Sequence, residues 1–352
     1  MEIPSLYREL EFGNLENALK SVHPGWDFSF GDLFVDILEG RGKEAFLELF
    51  SNQKHQLLSE IEGMKTIIVT IVIVVLLSAV FHAFRDAFRN PQIADISFYI
   101  NYLILVIVCI GVFQQMLLVG EETLNSIEKF MRIFFPTYFM TVGAAAGSLT
   151  AMGYYPLACL LIYGVEWLLK FFLLPFISCY MLFVIMNGIW EEERLELLLK
   201  LWKKGIGGLL QMVLGLLTGA SLLQSLVTPL IDRAKDEVMY KAVESIPGVG
   251  DLAGGISRIW VSSAVLIKNT AGVASCLLLL GLCLLPLLKL AFTACLLKGM
   301  AAVLGIVGEK RMIHCTDHVG DGVWMLFVTC FYAIVLFLVL IAITAFATNG
   351  GL

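Results

Sequence analysis

Charge is what this chain has least of. Of its 352 residues only 15% are Asp, Glu, Lys or Arg, while 59% are hydrophobic. A soluble chain of this length carries about 25% charged residues, so most of this one has lipid as its solvent. There is no basic stripe, which excludes nucleic acid as a partner. No Gly-Lys-Ser/Thr phosphate loop occurs, so any energy source must be another protein. No Ser/His/Asp constellation or paired intramembrane carboxylates stand out, so the sequence points to neither an enzyme nor a bound cofactor. Nor is there a 20–50-residue repeat, or an inverted correspondence between the halves of the kind many transporters carry. The opening "MEIPSLYREL" lacks the basic and apolar regions of a signal peptide.

The charge that is present is unevenly placed. Residues 1–63 hold twelve Asp/Glu against five Lys/Arg, and the other 289 residues hold eighteen against nineteen. This divides the chain into an acidic, amphipathic region, 1–63, and a multi-span region, 64–352. In the first, Leu33, Phe34, Ile37 and Leu38 recur at helical spacing, as do Phe46, Leu47, Leu49 and Phe50. Asp32 is a candidate N-cap, and Gly40 with Gly42 breaks the pair of helices. The acidity disfavours anionic lipid, so these apolar faces are expected against a partner or the protein's own spans.

Beyond residue 63, uncharged stretches of about 20 residues or more follow one another, long enough to cross ~30 Å of hydrocarbon. Seven spans are expected, near 65–84, 96–119, 133–152, 155–188, 205–231, 270–297 and 323–347. The fold class is therefore all-α and polytopic. The fourth span is long and should kink at Pro175. Residues 191–204, "EEERLELLLKLWKK", place Leu195, Leu198, Leu199 and Trp202 on one face and predict an interfacial helix. Roughly eleven Lys/Arg flank the spans on the N-terminal side against roughly six on the other, which favours a cytoplasmic N-terminus.

Few polar residues interrupt the apolar runs. Glu166 and Lys170 stand at i and i+4, the spacing of an ion pair on one helical face. They read either as the polar lining of a conduit or as a structural pair locking spans together. Lys268, Asn269 and Lys289 are the other candidates for conduit or structural roles, and the two lysines are long enough to snorkel to an interface. "GAAAG", with Gly143 and Gly147, has the spacing of a close helix–helix approach. "HCTDH", 314–318, offers His at i and i+4, yet no second ligand pair accompanies it, so no metal is expected. Of eight cysteines, seven lie in apolar runs and Cys315 in what reads as a polar loop, so no disulfide framework is implied.

The stretch 244–272 carries Gly248, Gly250, Gly254 and Gly255 and follows them with nine apolar-rich residues, Ile259 to Ile267. Pro247 and the clustered glycines disfavour a continuous helix. Two readings remain open: a bent or re-entrant element over 246–269, and an ordinary loop entering a longer sixth span.

Several stretches together resemble the stage III sporulation protein AE family: "WDFSFGDLFVDILEGRGKEAFLELF", "ISFYINYLILVIVCIGVF", and "IPGVGDLAGGISRIWVSSAVLIKNTAGVA" followed by "CLLPLLKL". The resemblance implies a multi-pass protein of the mother-cell membrane surrounding the forespore. It would act as a channel or export-gate-like subunit of the complex joining mother cell to forespore and serve forespore maintenance. Implied partners are the other stage III A proteins, namely an ATPase, small membrane subunits and ring-forming proteins, with a homo-oligomer expected. Family members often begin with a cleavable signal sequence, which would put the N-terminal region outside the cytosol, against the charge count. Alternatives from the residues themselves are a stand-alone secondary transporter and a structural scaffold for ring assembly.

Overall fold

The computed structural model describes residues 30–44, 47, 65–70, 72–74, 76–80, 83, 91–146, 159–189, 195–216, 218–219, 250–307 and 310–347, nearly all of them helical. Four helices are long and apolar enough to cross a membrane: Tyr99–Tyr138, Cys159–Ile189, Asn269–Gly305 and Lys310–Ala342. A fifth apolar helix, Lys65–Val80, is shorter. The described residues thus hold four helices of spanning length and do not confirm the expected seven. Much of the expected span 205–231 lies outside them.

In chain order the elements are α1 (Phe30–Leu38), α2 (Lys65–Val80), α3 (Pro91–Ala146), α4 (Cys159–Ile189), α5 (196–216), α6 (Gly250–Val307) and α7 (Lys310–Ala347). The antiparallel pair α6 and α7 packs most extensively, and α3 lies against both. Their shared core includes Leu278, Leu279, Leu290, Val319, Leu326 and Ala333, each fully shielded. Large apolar side chains also point outward, among them Ile107, Leu160, Phe171 and Leu182. A soluble monomer would not expose so continuous an apolar surface, but in lipid this surface needs no cover.

α1 forms as the apolar spacing predicts. Phe30, Leu33 and Phe34 are buried, and the helix packs on α6, so its apolar face meets the protein's own spans. Asp32 is not the N-cap. The helix begins at Phe30, and Asp32 sits in the first turn, where its charge complements the helix dipole. Gly40 ends the helix at φ 81°. The Arg41 amide donates to the Asp36 carbonyl at 2.8 Å and the Gly40 amide to that of Ile37 at 3.1 Å, the two bonds of a Schellman end.

Three expectations change. First, the spans 96–119 and 133–152 share one unbroken 56-residue helix, α3, as far as residue 146. The intervening "GEETLNSIEKFMR" looks like a loop because charge interrupts the hydropathy, but these residues are good helix formers and no proline lies among them. Second, the stretch from Gly250 onward is helix rather than irregular backbone. Gly250, Gly254 and Gly255 belong to the 58-residue α6. Glycine costs a helix about 1 kcal/mol relative to alanine but does not forbid it, and Gly40 alone among the described residues has positive φ. Gly248 lies outside the described residues. Third, Cys315 is not in a loop: it is buried within α7.

α4 does deform at Pro175, by a π-helical turn over Leu168–Leu173 immediately before it. The Leu174 amide reaches the Leu169 carbonyl, a five-residue closure. Proline has no amide to donate, and the widened turn accommodates that gap without ending the helix.

Several buried threonine hydroxyls, with no water to bond, turn back on their own helices. Thr123 donates to the Val119 carbonyl at 2.6 Å, Thr316 to that of Met312 and Thr329 to that of Met325, both at 2.8 Å. Of the expected close-approach pair, Gly143 is helical in α3 and Gly147 lies outside the described residues; one close approach that the described residues do show is elsewhere. It falls at Gly188, where Tyr102 lies against the α-carbon so closely that any side chain would collide with its ring. The Tyr102 hydroxyl there donates to the Ile185 carbonyl at 3.1 Å.

Candidate functional site

Two charged networks join the helices. The first links α3 to α4. α3 presents Glu128 and Arg132 one turn apart, and α4 presents Glu166 and Lys170, the latter within the π turn. Lys170 pairs with one oxygen of Glu128, and Arg132 pairs with the other. Arg132 also reaches Glu166 Oε2 at 3.7 Å and lies 5.0 Å from the centre of the Tyr163 ring. Glu166 is only 7% exposed, and its Oε1 has no hydrogen-bond partner.

The sequence places Glu166 and Lys170 as partners of each other, and the structure corrects this. Both are in one network, but the partners come from α3. Glu128 of the neighbouring helix takes Lys170, and Arg132 bridges Glu128 to Glu166. Glu128 and Arg132 escaped sequence reading because "EKFMR" looked like a connecting loop. The signal was their i, i+4 spacing, which repeats that of Glu166 and Lys170.

The second network gathers four helices around Asp321, itself only 5% exposed. Lys203 of α5 reaches Asp321 Oδ2 at 2.7 Å, and Lys298 of α6 reaches Oδ1 at 2.8 Å and Asp317 at 3.1 Å. His318 stands 3.9 Å from Asp321, and its Nδ1 lies 3.2 Å from the Tyr180 hydroxyl of α4. So "HCTDH" is one helical turn of α7, of which Asp317 and His318 serve helix packing. Among the described residues no three His, Cys, Asp or Glu are grouped to hold a metal. Asp321 and Lys298 were missed in the sequence, where Lys289 drew notice instead.

The predicted interfacial helix belongs to this second network. It is helical from residue 196 and continues to 216, past the expected end at 204. The buried Asn187 accepts the Leu195 amide at 2.9 Å and so anchors its start. Trp202 stacks on Phe176 with ring centres 4.0 Å apart, and its indole donates to the Phe176 carbonyl at 3.0 Å. Lys200 pairs with Glu196 at 2.5 Å, and the hydrogen bond holds that exposed carboxyl below its ordinary range. Leu197 and Leu201 stay exposed, facing lipid or its headgroup boundary.

The remaining candidates are not brought together. Lys289 is half-buried on α6, Asn269 is exposed at the start of its apolar stretch, and Lys268 lies in the same helix with its side chain undescribed. A separate polar contact links α2, α3 and α7. The Ser78 hydroxyl donates to buried Asn101 at 3.3 Å, and the Asn101 amide points at the Met312 sulfur at 3.6 Å.

Apolar helices of spanning length, an outward apolar surface and charges paired between helices define a polytopic α-helical membrane protein. Within that class the particular family is shown by sequence comparison. A family model described as Stage III sporulation protein AE matches residues 28–348, so the chain belongs to the stage III sporulation protein AE family. It is similar to the stage III sporulation protein AE of Bacillus subtilis (strain 168), with 22% identity over 305 residues, 86% of this chain and 75% of that relative. No solved structure matches it.

Proposed function

We propose that this sporulation membrane protein is a channel or export-gate-like subunit of the complex that joins mother cell to forespore. In this reading it sits in the mother-cell membrane around the forespore, assembles with copies of itself, and works with the other stage III A proteins. No reaction is assigned to it. Membership of the family supports the sporulation role. The observation that carries the conduit reading is the four-residue network of Glu128, Arg132, Glu166 and Lys170 inside two apolar helices. Charges at membrane depth cost at least ~2.5–3.5 kcal/mol each when unpaired, so they face partners or a water-filled path. The mutual pairing of three of the four also suits a structural scaffold, the second reading.

Thiol accessibility separates the two. In the full-length protein freed of native cysteines, single cysteines replace Glu128, Arg132, Glu166 and Lys170 in turn and meet a membrane-impermeant reagent. A conduit predicts labelling at two or more of these positions, with protection one turn away on the lipid-facing side. Uniform protection of all four, in protein that still inserts, would overturn the conduit and leave the scaffold.

A further inference from the structure

The two carboxylates of the α3–α4 network share two cations unequally. Lys170 and Arg132 both close on Glu128, one on each of its oxygens. Glu166 keeps a single 3.7 Å approach to Arg132 on Oε2 and nothing on Oε1. Yet Glu166 is the more enclosed of the two, its side chain 8% exposed against 17% for Glu128. A buried carboxylate needs several good donors to offset its desolvation, and without them the neutral acid becomes the cheaper state.

We propose that Glu166 is a proton-binding site within α4, whose carboxyl takes up and releases a proton while Glu128 stays ionised between Arg132 and Lys170. The proton comes from the aqueous phase and returns to it, and no other bond changes. The charged groups facing Glu166 are Arg132 and Glu128 from α3. From its own helix come Lys170, which also feels Glu121, and Tyr163, which lies under Arg132. Residues 269–288 of α6 and 322–347 of α7 contain no Asp, Glu, Lys, Arg or His. As groups able to ionise they carry only cysteines and Tyr332.

The proton gates the distribution of Arg132. With Glu166 neutral, Arg132 serves Glu128 alone. With Glu166 ionised, Arg132 is drawn toward α4 and its hold on Glu128 loosens. The π turn beside it, which carries Lys170, is the place where α4 can change register in response. Asp, Glu and His side chains within membrane-spanning segments recur in proton relays.

Infrared difference spectra of the full-length protein in lipid vesicles, taken between about pH 5 and about pH 9, test this directly. Glutamate is labelled with carbon-13 at its side-chain carboxyl. The expected result is a protonated-carboxyl stretch that moves with the label, is still present near neutral pH where exposed glutamates are ionised, and fades at the alkaline end. Glu166→Gln removes it. Glu128→Gln frees both cations for Glu166 and shifts the transition to lower pH. If Glu166→Gln does not insert, Glu166→Asp serves, because the band then no longer moves with the glutamate label. A wild type with no such band, a band that never changes across the range, or one that survives removal of Glu166 would each overturn the proposal.

Discussion

At the scale of single residues, burial and pairing decide which charges matter. Asp321 holds two lysines from two other helices, whereas its neighbour Asp317 holds one and is half-exposed. Asp321→Asn leaves Lys203 and Lys298 without their shared counter-charge. The loss is expected at about 1–3 kcal/mol, below that for a fully enclosed pair, because both lysines are partly exposed. Asp317→Asn should cost well under half as much. Thermal unfolding of both variants in detergent checks this, and equal losses would show that Asp321 is not the hub. Sequence alone could not rank these two. Both are acids on one helix, and what separates them is which of them faces α5 and α6.

At the scale of elements, local signals were legible and continuity was not. α1, its stop at Gly40 and the face of α5 bearing Leu199 and Trp202 could all be read from spacing and turn chemistry. The disturbance before Pro175 was legible too, though not its form as a π turn. What misled was charge at 120–132 and glycine at 248–255, each of which looks like a break. Helix propensity within "EETLNSIEKF" outweighs the first, and pairing with α4 removes its cost. For the second, a helical backbone makes a sharp prediction. Gly254→Ala and Gly255→Ala should each leave stability unchanged or raise it by up to about 1 kcal/mol, because alanine is the better helix former. A loss of 1 kcal/mol or more in thermal unfolding of either variant would show that the stretch needs glycine's freedom, as a re-entrant loop would.

At the scale of the whole molecule, long helices tie the bundle together. α3 and α6 have 56 and 58 residues, about 84 and 87 Å at 1.5 Å per residue, against ~30 Å of hydrocarbon. Each therefore extends beyond the slab or crosses it at a strong tilt, and the charged networks lie on helices rather than in the loops that hydropathy suggests. Composition gave the class of solvent, and the family resemblance gave the biological setting. The pairing of α3 with α4 came from neither, because partners 42 residues apart leave no periodic trace. That pairing is the central claim, and cross-linking measures it. In a background without native cysteines, the double variant Glu128→Cys with Lys170→Cys is oxidised in native membranes, beside Leu118→Cys with Lys170→Cys as control. Packing of α3 on α4 predicts rapid disulfide formation or bridging by a short dithiol reagent in the first pair and none in the second. If the first pair stays unlinked while the cysteine at position 128 reacts freely with an impermeant reagent, residues 120–132 form an extramembrane loop, and the continuous helix packed on α4 is contradicted.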